Sequence, residues 1–201
     1  MTLLSAALAY VVGLPLGILL VVTDKNGIRP IPALNAALGT IVNLLRSVPF
    51  LILFIALRGV TSAVVGRAYG ARAVIVALFV AAAPFIARMV ESSLKEVDPG
   101  VVEASQSMGA STMQIIMKVL LPEARASLLV GAAISITTIL GYSAMAGIVG
   151  GGGLGAVAIN YGYYRGEDTI MWVMIIILVA IVQVFQEVGM RLSRLVDKRI
   201  R

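Results

Sequence analysis

Apolar residues fill five long stretches of the chain, and charged residues, glycine and proline separate these stretches. About 20 consecutive apolar residues are enough to cross the hydrocarbon core of a bilayer. The pattern therefore predicts an all-α protein whose single domain, residues 1–201, crosses a membrane five times. The predicted spans cover about 2–22, 36–57, 73–90, 123–148 and 169–189.

The longest stretch in which charged and apolar residues alternate at helical spacing lies outside these spans, at residues 98–122. Asp98 suits a helix N-cap, and Pro99 suits the first helical position because its missing N–H would have no partner there. Gly109 interrupts the helical spacing, and Pro122 marks the next break. The segment is therefore predicted to form two short amphipathic helices with a bend between them at Gly109. Their exposed surface is predicted to bind a partner.

The composition places the protein in a membrane. The chain is 60% hydrophobic and 13% charged, with a mean hydropathy of +1.01, whereas soluble domains carry about 25% charged residues. The absence of Cys and His removes disulfides, metal sites that use these residues and histidine acid–base chemistry. The net charge of +6 fits basic residues at the cytoplasmic face better than nucleic-acid binding.

The distribution of Lys and Arg predicts the orientation. With Arg46 and Arg88 counted on the inner side, 12 of the 16 basic residues fall inside, which places the N-terminus outside and the C-terminus in the cytoplasm. The basic tail at 191–201 and the 98–122 segment then both lie inside. Because the first span starts at Met1, we expect a short preceding segment to be missing.

Several kinds of chemistry have no support in the sequence. No Gly-Lys pair occurs, so a P-loop for nucleotide is absent. Residues 141–145 miss the Gly-x-Ser-x-Gly pattern, and no histidine could activate the serine. No acidic cluster within the spans suggests a proton relay. We therefore predict that the chain is not an enzyme, holds no metal or cofactor, and depends on a partner for energy.

Arg46 lies inside the second predicted span and is followed by Ser47 and Pro49. A charge within a span costs at least about 2.5 kcal/mol, so it must face protein, water or headgroups. One interpretation is a residue that lines a pathway. The other is an arginine that reaches the inner headgroups or pairs with a structural partner, and the sequence leaves both open.

The 98–122 segment resembles a known motif. Residues 103–105 are Glu-Ala-Ser, Gly109 follows after three residues, and 119–122 are Val-Leu-Leu-Pro after nine more. This closely resembles the EAA motif of ABC importer permeases (Glu-Ala-Ala, three residues, Gly, nine residues, Ile-x-Leu-Pro), with conservative departures at Ser105 and Val119. The resemblance implies coupling helices that sit in a cleft on a cytoplasmic ATPase, with coupling residues Glu103, Ala104, Ser105, Gly109 and Pro122.

Three further segments, at 46–50, 83–91 and 141–147, resemble methionine importer permeases in particular. The resemblance covers nearly the whole chain and implies the type I ABC importer transmembrane fold. It also implies a homodimer in the bacterial inner membrane, two ATPase subunits that bind the ATP and Mg²⁺, and an extracytoplasmic methionine-binding lipoprotein. The other predicted contact is membrane lipid, and no nucleic acid is expected.

The same resemblance assigns Met145 to the position that narrows the pore in the inward-facing form. The alternative is a methionine that fills a gap in the core, where its flexible side chain packs well. Tyr142, Ser143 and Arg46 are the other pathway candidates. We interpret the chain as the permease subunit of an ATP-driven methionine importer; the alternatives are a permease for another small substrate and a membrane scaffold or sensor without transport.

Overall fold

The structure, a computed structural model, describes residues 1–197. These residues form helices and connecting turns, with no strand among them. Residues 198–201, which complete the basic tail, lie outside the described residues. The helices are α1 Thr2–Val22, α2 Pro32–Ser47, α3 Phe50–Ala56, α4 Arg58–Val65, α5 Ala71–Lys95, α6 Pro99–Ser107, α7 Thr112–Ile115, α8 Leu121–Glu123, α9 Arg125–Met145, α10 Gly153–Val157 and α11 Asp168–Val196.

Three short segments continue some of these helices. The π-helical turn Ile116–Leu120 joins α7 to α8, the 3₁₀ turn Ala146–Val149 extends α9, and the π-helical turn Ala158–Tyr163 extends α10. Within residues 1–197, four helices are long and apolar enough to cross a membrane, and the bent pair α2 and α3 makes a fifth candidate. The four are Thr2–Val22, Ala71–Lys95, Arg125–Tyr163 and Asp168–Val196.

The bundle is built around close contact between α1 and α5. A Cβ placed on Gly13 would lie 2.8 Å from the carbonyl oxygen of Ala83, and one on Gly17 would lie 2.6 Å from that of Ala87. These positions therefore need glycine, since small residues let membrane helices approach each other along their backbones. Both contacts advance by four residues on each helix, so α1 and α5 run parallel.

The remaining long helices alternate in direction. Ser127, near the start of α9, donates a hydrogen bond of 3.0 Å to Ser93, near the end of α5. Ser193, near the end of α11, donates one of 2.9 Å to the carbonyl of Ala126 at the start of α9. Hence α9 runs antiparallel to both α5 and α11. One end of the bundle, called here the coupling end, carries the ends of α1, α5 and α11 together with the 98–122 segment.

The second predicted span, 36–57, is not one continuous helix, and it bends at the position where its proline lies. The axes of α2 and α3 meet at 100°, and the break falls at Val48 and Pro49. Val48 is extended, with φ −82° and ψ 123°, because the ring of a following proline disfavours the helical conformation. Pro49 also has no N–H to continue the helix. The chain therefore turns sharply one residue after the last turn of α2.

Candidate coupling segment and pathway residues

The 98–122 segment begins with the cap that its sequence predicts. The carboxylate of Asp98 accepts a hydrogen bond of 2.7 Å from the backbone N–H of Gly100, and Pro99 occupies the first turn of α6. The helix ends at Ser107, and Gly109 adopts φ +78°. This left-handed conformation suits glycine because no Cβ opposes it. The predicted bend at Gly109 is confirmed.

The second helix of the segment starts with a capping box formed by Ser111 and Gln114. The N–H of Ser111 donates to Gln114 Oε1 at 2.8 Å, and the N–H of Gln114 donates to Ser111 Oγ at 3.3 Å. The helical path continues through the π turn and includes Pro122. The chain bends at Ala124, two residues after the predicted break at Pro122.

The three residues at the start of the motif have different surroundings. Ser105 is buried, and its hydroxyl donates to the carbonyl of Val101 at 2.8 Å. Glu103 and Ala104 are exposed. Glu103 is the fifth residue of α6, so Asp98 rather than Glu103 interacts with the helix N-terminus. The exposed Glu103 carboxylate is therefore available to a partner.

Methionines dominate the outer surface of the segment. Met108, Met113 and Met117 are 80%, 66% and 58% exposed, whereas Ile116 and Leu120 are buried against the rest of the bundle. Methionine is flexible and polarisable, and it adapts to the shape of a contacting surface. The segment thus presents an apolar, adaptable surface at the coupling end.

A chain of ion pairs leads from inside the bundle to this segment. Lys95 lies 2.7 Å from Asp24 and 3.0 Å from Glu91, and Glu91 also lies 2.5 Å from Arg88. The hydrogen bond from Lys95 is the main reason why the pKa of Asp24 falls below its usual value, and the backbone N–H of Lys25 adds to the effect. These contacts fix the exit of α1 to the end of α5.

A cavity of about 400 Å³ lies between the coupling segment and this region. The cavity is lined by residues of the α1 exit, the end of α5 and the coupling segment, among them Asp24, Lys95, Glu103, Gln106 and Leu120. A displacement of the segment would therefore act directly on the helices that it contacts.

Two of the predicted pathway residues come together in a second, smaller cavity of about 170 Å³. The rings of Phe50 and Tyr142 are stacked, with centroids 5.1 Å apart and planes within 3° of parallel. The guanidinium carbon of Arg46 lies 5.9 Å from the ring centroid of Phe85. The cavity is called here the Arg46 pocket, and its lining is Leu45, Arg46, Val48, Phe50, Ala81, Phe85 and Tyr142.

The other two pathway candidates do not line the Arg46 pocket. Met145 is the last residue of α9 and is 51% exposed, and Ser143 is half-buried. The chain alone therefore does not enclose Met145 as a core residue. Behind it, Ala146 and Gly147 are buried where the chain turns back.

Some residues of these sites were not singled out from the sequence. Phe50 and Phe85 lie within the 46–50 and 83–91 segments, and the resemblance of these segments to methionine importer permeases was the one indication that they belong to a site. The sequence gave no indication of a role for Asp24, because its ion-pair partner Lys95 lies 71 positions further along the chain. Within residues 1–197, no group of three or more Asp and Glu side chains is placed to hold a metal ion.

Comparisons with known proteins agree with one another. A family model described as a binding-protein-dependent transport system inner membrane component matches residues 13–201. The probable D-methionine transport system permease protein MetI of Vibrio cholerae is 50% identical over 99% of this chain and 88% of its own. The methionine import system permease protein MetP of Bacillus subtilis is 42% identical over 90% of this chain and 82% of its own.

Solved structures give the same result for the fold. A structure of the MetNI methionine ABC transporter in an inward-facing conformation contains a chain with a TM-score of 0.97 and 45% identity, covering 98% of this chain and 92% of that one. An amino acid ABC transporter crystallised with histidines aligns with a TM-score of 0.75 over 96% of this chain and 90% of its own. At 20% identity, the latter likeness shows the fold alone.

Proposed function

The chain belongs to the family of binding-protein-dependent transport system inner membrane components, and we propose that it is the permease of an importer for methionine. The family supplies the membrane-spanning subunit, and a separate ATPase hydrolyses the ATP. Methionine is the substrate named for both curated relatives. The observation that carries the mechanism is the exposed pair of short helices bent at Gly109, which fits a docking element for that ATPase.

The geometry suggests how ATPase motion reaches the membrane. Two residues separate Lys95 at the end of α5 from Asp98, and Ala124 alone separates α8 from α9. A partner that grips the segment and moves it therefore pulls on α5 and α9 together. These two helices carry Phe85 and Tyr142, so closure of the ATPase would change the width of the Arg46 pocket.

A second copy of the chain completes this proposal. Helix α9 leaves one side uncovered, where Ile134, Met145 and the following Ile148 are exposed. That side faces a neighbour in our proposal, and two copies of Met145 around a shared axis could close the passage. Each copy would dock one ATPase subunit, which binds ATP and Mg²⁺.

We propose that the coupling end lies in the cytoplasm, which puts the N-terminus outside and the C-terminus inside. The described residues at this end include more Lys and Arg than those at the opposite end, as expected for cytoplasmic loops. An extracytoplasmic methionine-binding lipoprotein would deliver substrate at the opposite end, near the exposed Tyr163 and Tyr164. The basic residues at the coupling end are Lys25, Arg29, Lys95, Lys118, Arg125, Arg191 and Arg194.

Uptake by membrane vesicles that contain the chain, its ATPase and its binding protein tests the function. We expect ATP-dependent accumulation of labelled methionine. Accumulation of a different small solute, with none of methionine, would favour a permease for another substrate. No ATP-dependent uptake of any solute, despite stable binding of the ATPase, would favour a membrane scaffold and would overturn the proposal.

A further inference from the structure

Arg46 carries a charge that nothing else in residues 1–197 neutralises. Its guanidinium lies over the face of the Phe85 ring, and its side chain makes no hydrogen bond or ion pair with the described part of the chain. Arg88 provides the contrast, because it pairs with Glu91 and also donates to Gly39 and Asn43. Of these two arginines, only Arg46 has all its guanidinium N–H donors free of hydrogen bonds to the described residues.

The depth of Arg46 argues against a headgroup anchor. Phe85, over which it lies, is 14 residues from the start of α5 and 10 from its end. At about 1.5 Å per residue, Phe85 lies roughly 18 Å from the start and about 8 Å from the end of the predicted span 73–90. It is also further from the coupling end than Arg88, which is itself paired with Glu91 inside the bundle. Arg46 therefore lies within the span and not at its edge. An ionisable residue at such a depth is expected to serve a pathway or a ligand.

We propose that Arg46 binds the α-carboxylate of the transported amino acid. This inference rests on the proposed function, since it needs an amino acid to enter the bundle. A guanidinium binds a carboxylate through two parallel hydrogen bonds, and its geometry makes arginine better suited to this than lysine. Because Arg46 is exposed, a ligand can reach its guanidinium donors.

The size and lining of the Arg46 pocket support this assignment. Its volume of about 170 Å³ is below the roughly 300 Å³ at which pockets begin to enclose whole ligands. It therefore takes the head group of an amino acid and leaves the side chain outside. Phe50 and Tyr142 cover one face of each other, and Arg46 covers one face of Phe85. The second faces of these rings remain to attract the α-ammonium group beside the bound carboxylate.

The test uses the purified complex of this chain with its ATPase, without the binding protein. Binding of labelled methionine is measured in competition with unlabelled methionine and with methionine amide, which lacks the carboxylate charge. The wild type should prefer methionine by at least tenfold. In Arg46→Gln this preference should fall below about threefold, and Arg46→Lys should be intermediate. Arg67→Gln, which removes an exposed arginine outside the pocket, should match the wild type.

The outcomes separate this inference from the proposed function. An unchanged preference in Arg46→Gln, or no saturable binding to the wild type, overturns the carboxylate site even when the same preparations take up methionine normally. A lower melting temperature of Arg46→Gln in lipid, with preference and uptake unchanged, would make Arg46 a headgroup anchor and would also overturn it. Failure of wild-type uptake would instead contradict the proposed function.

Discussion

The carboxylate of Asp24 lies 2.7 Å from the ammonium group of Lys95, and this contact joins the exit of α1 to the end of α5 beside the coupling segment. Asp24→Asn should lower the stability of the purified protein by no more than about 1 kcal/mol, because the pair is partly exposed and screened by solvent. Thermal unfolding of the two proteins in the same detergent measures the difference.

The pH dependence of this difference has a definite sign. The pKa of Asp24 is lowered in the folded protein, mainly by the hydrogen bond from Lys95. Its contribution is therefore complete above the unfolded pKa of Asp and disappears as the pH falls through the folded value. The melting temperatures of wild type and Asp24→Asn should converge on acidification. Glu96→Gln is the control, since the exposed Glu96 has no ion pair among the described residues; equal convergence in both variants would refute this explanation.

Gly109 provides a test of ATPase docking that depends on the backbone alone. A Cβ at this position would meet no atom within 4 Å, but φ is +78°, which a β-branched residue opposes strongly. Gly109→Val should therefore disturb the angle between the coupling helices and prevent copurification of the ATPase. Gly109→Asn should retain it, because asparagine tolerates the left-handed region. Normal copurification with the valine variant would mean that the bend is not needed for docking.

The coupling segment is the part of the fold that the sequence specified best. Its caps and bend arise from neighbouring residues, so Asp98, Gly109 and Ser111 predict local structure without knowledge of the rest of the chain. The second span was predicted less well. Pro49 indicates a kink, but hydropathy continues without interruption across it, and only the direction of the backbone at Val48 shows that α2 and α3 meet at 100°.

Met145 distinguishes a gate from a core residue. Because its side chain is 51% exposed, Met145→Ala should leave the melting temperature close to that of the wild type while small solutes leak through the closed transporter. The control is Ile139→Ala on the same helix, where the side chain is fully buried and the cavity should cost about 2–5 kcal/mol. Thermal stability and leak are measured on the same preparations. A destabilised Met145→Ala transporter that does not leak would contradict the gate.

The orientation can be tested with single cysteines, since the chain contains none. A cysteine replacing the exposed Ser107 in the coupling segment should react with a membrane-impermeant thiol reagent only from the cytoplasmic side. One replacing Tyr163, which is 68% exposed, should react only from the outside. Reaction with the sides exchanged would invert the proposed topology.

The pathway was only partly accessible from the sequence. Arg46 could be suspected because a charge lies within an apolar stretch, and Tyr142 because it falls in the 141–147 segment that resembles methionine importer permeases. Their common cavity, however, depends on three distant parts of the chain. The sharp turn after α2 brings Phe50 onto Tyr142, and α5 supplies Phe85. Such contacts depend on helix packing, which hydrophobic periodicity does not determine.

The central claim is that the bent segment couples an ATPase to methionine transport. The most direct measurement is methionine uptake per ATP hydrolysed, in proteoliposomes that contain the chain, its ATPase and its binding protein. The wild type and Gly109→Asn should transport with ATP and stop without it, whereas Gly109→Val should lose ATP-driven uptake while remaining folded in the membrane. Undiminished, ATP-driven uptake by Gly109→Val would contradict the claim.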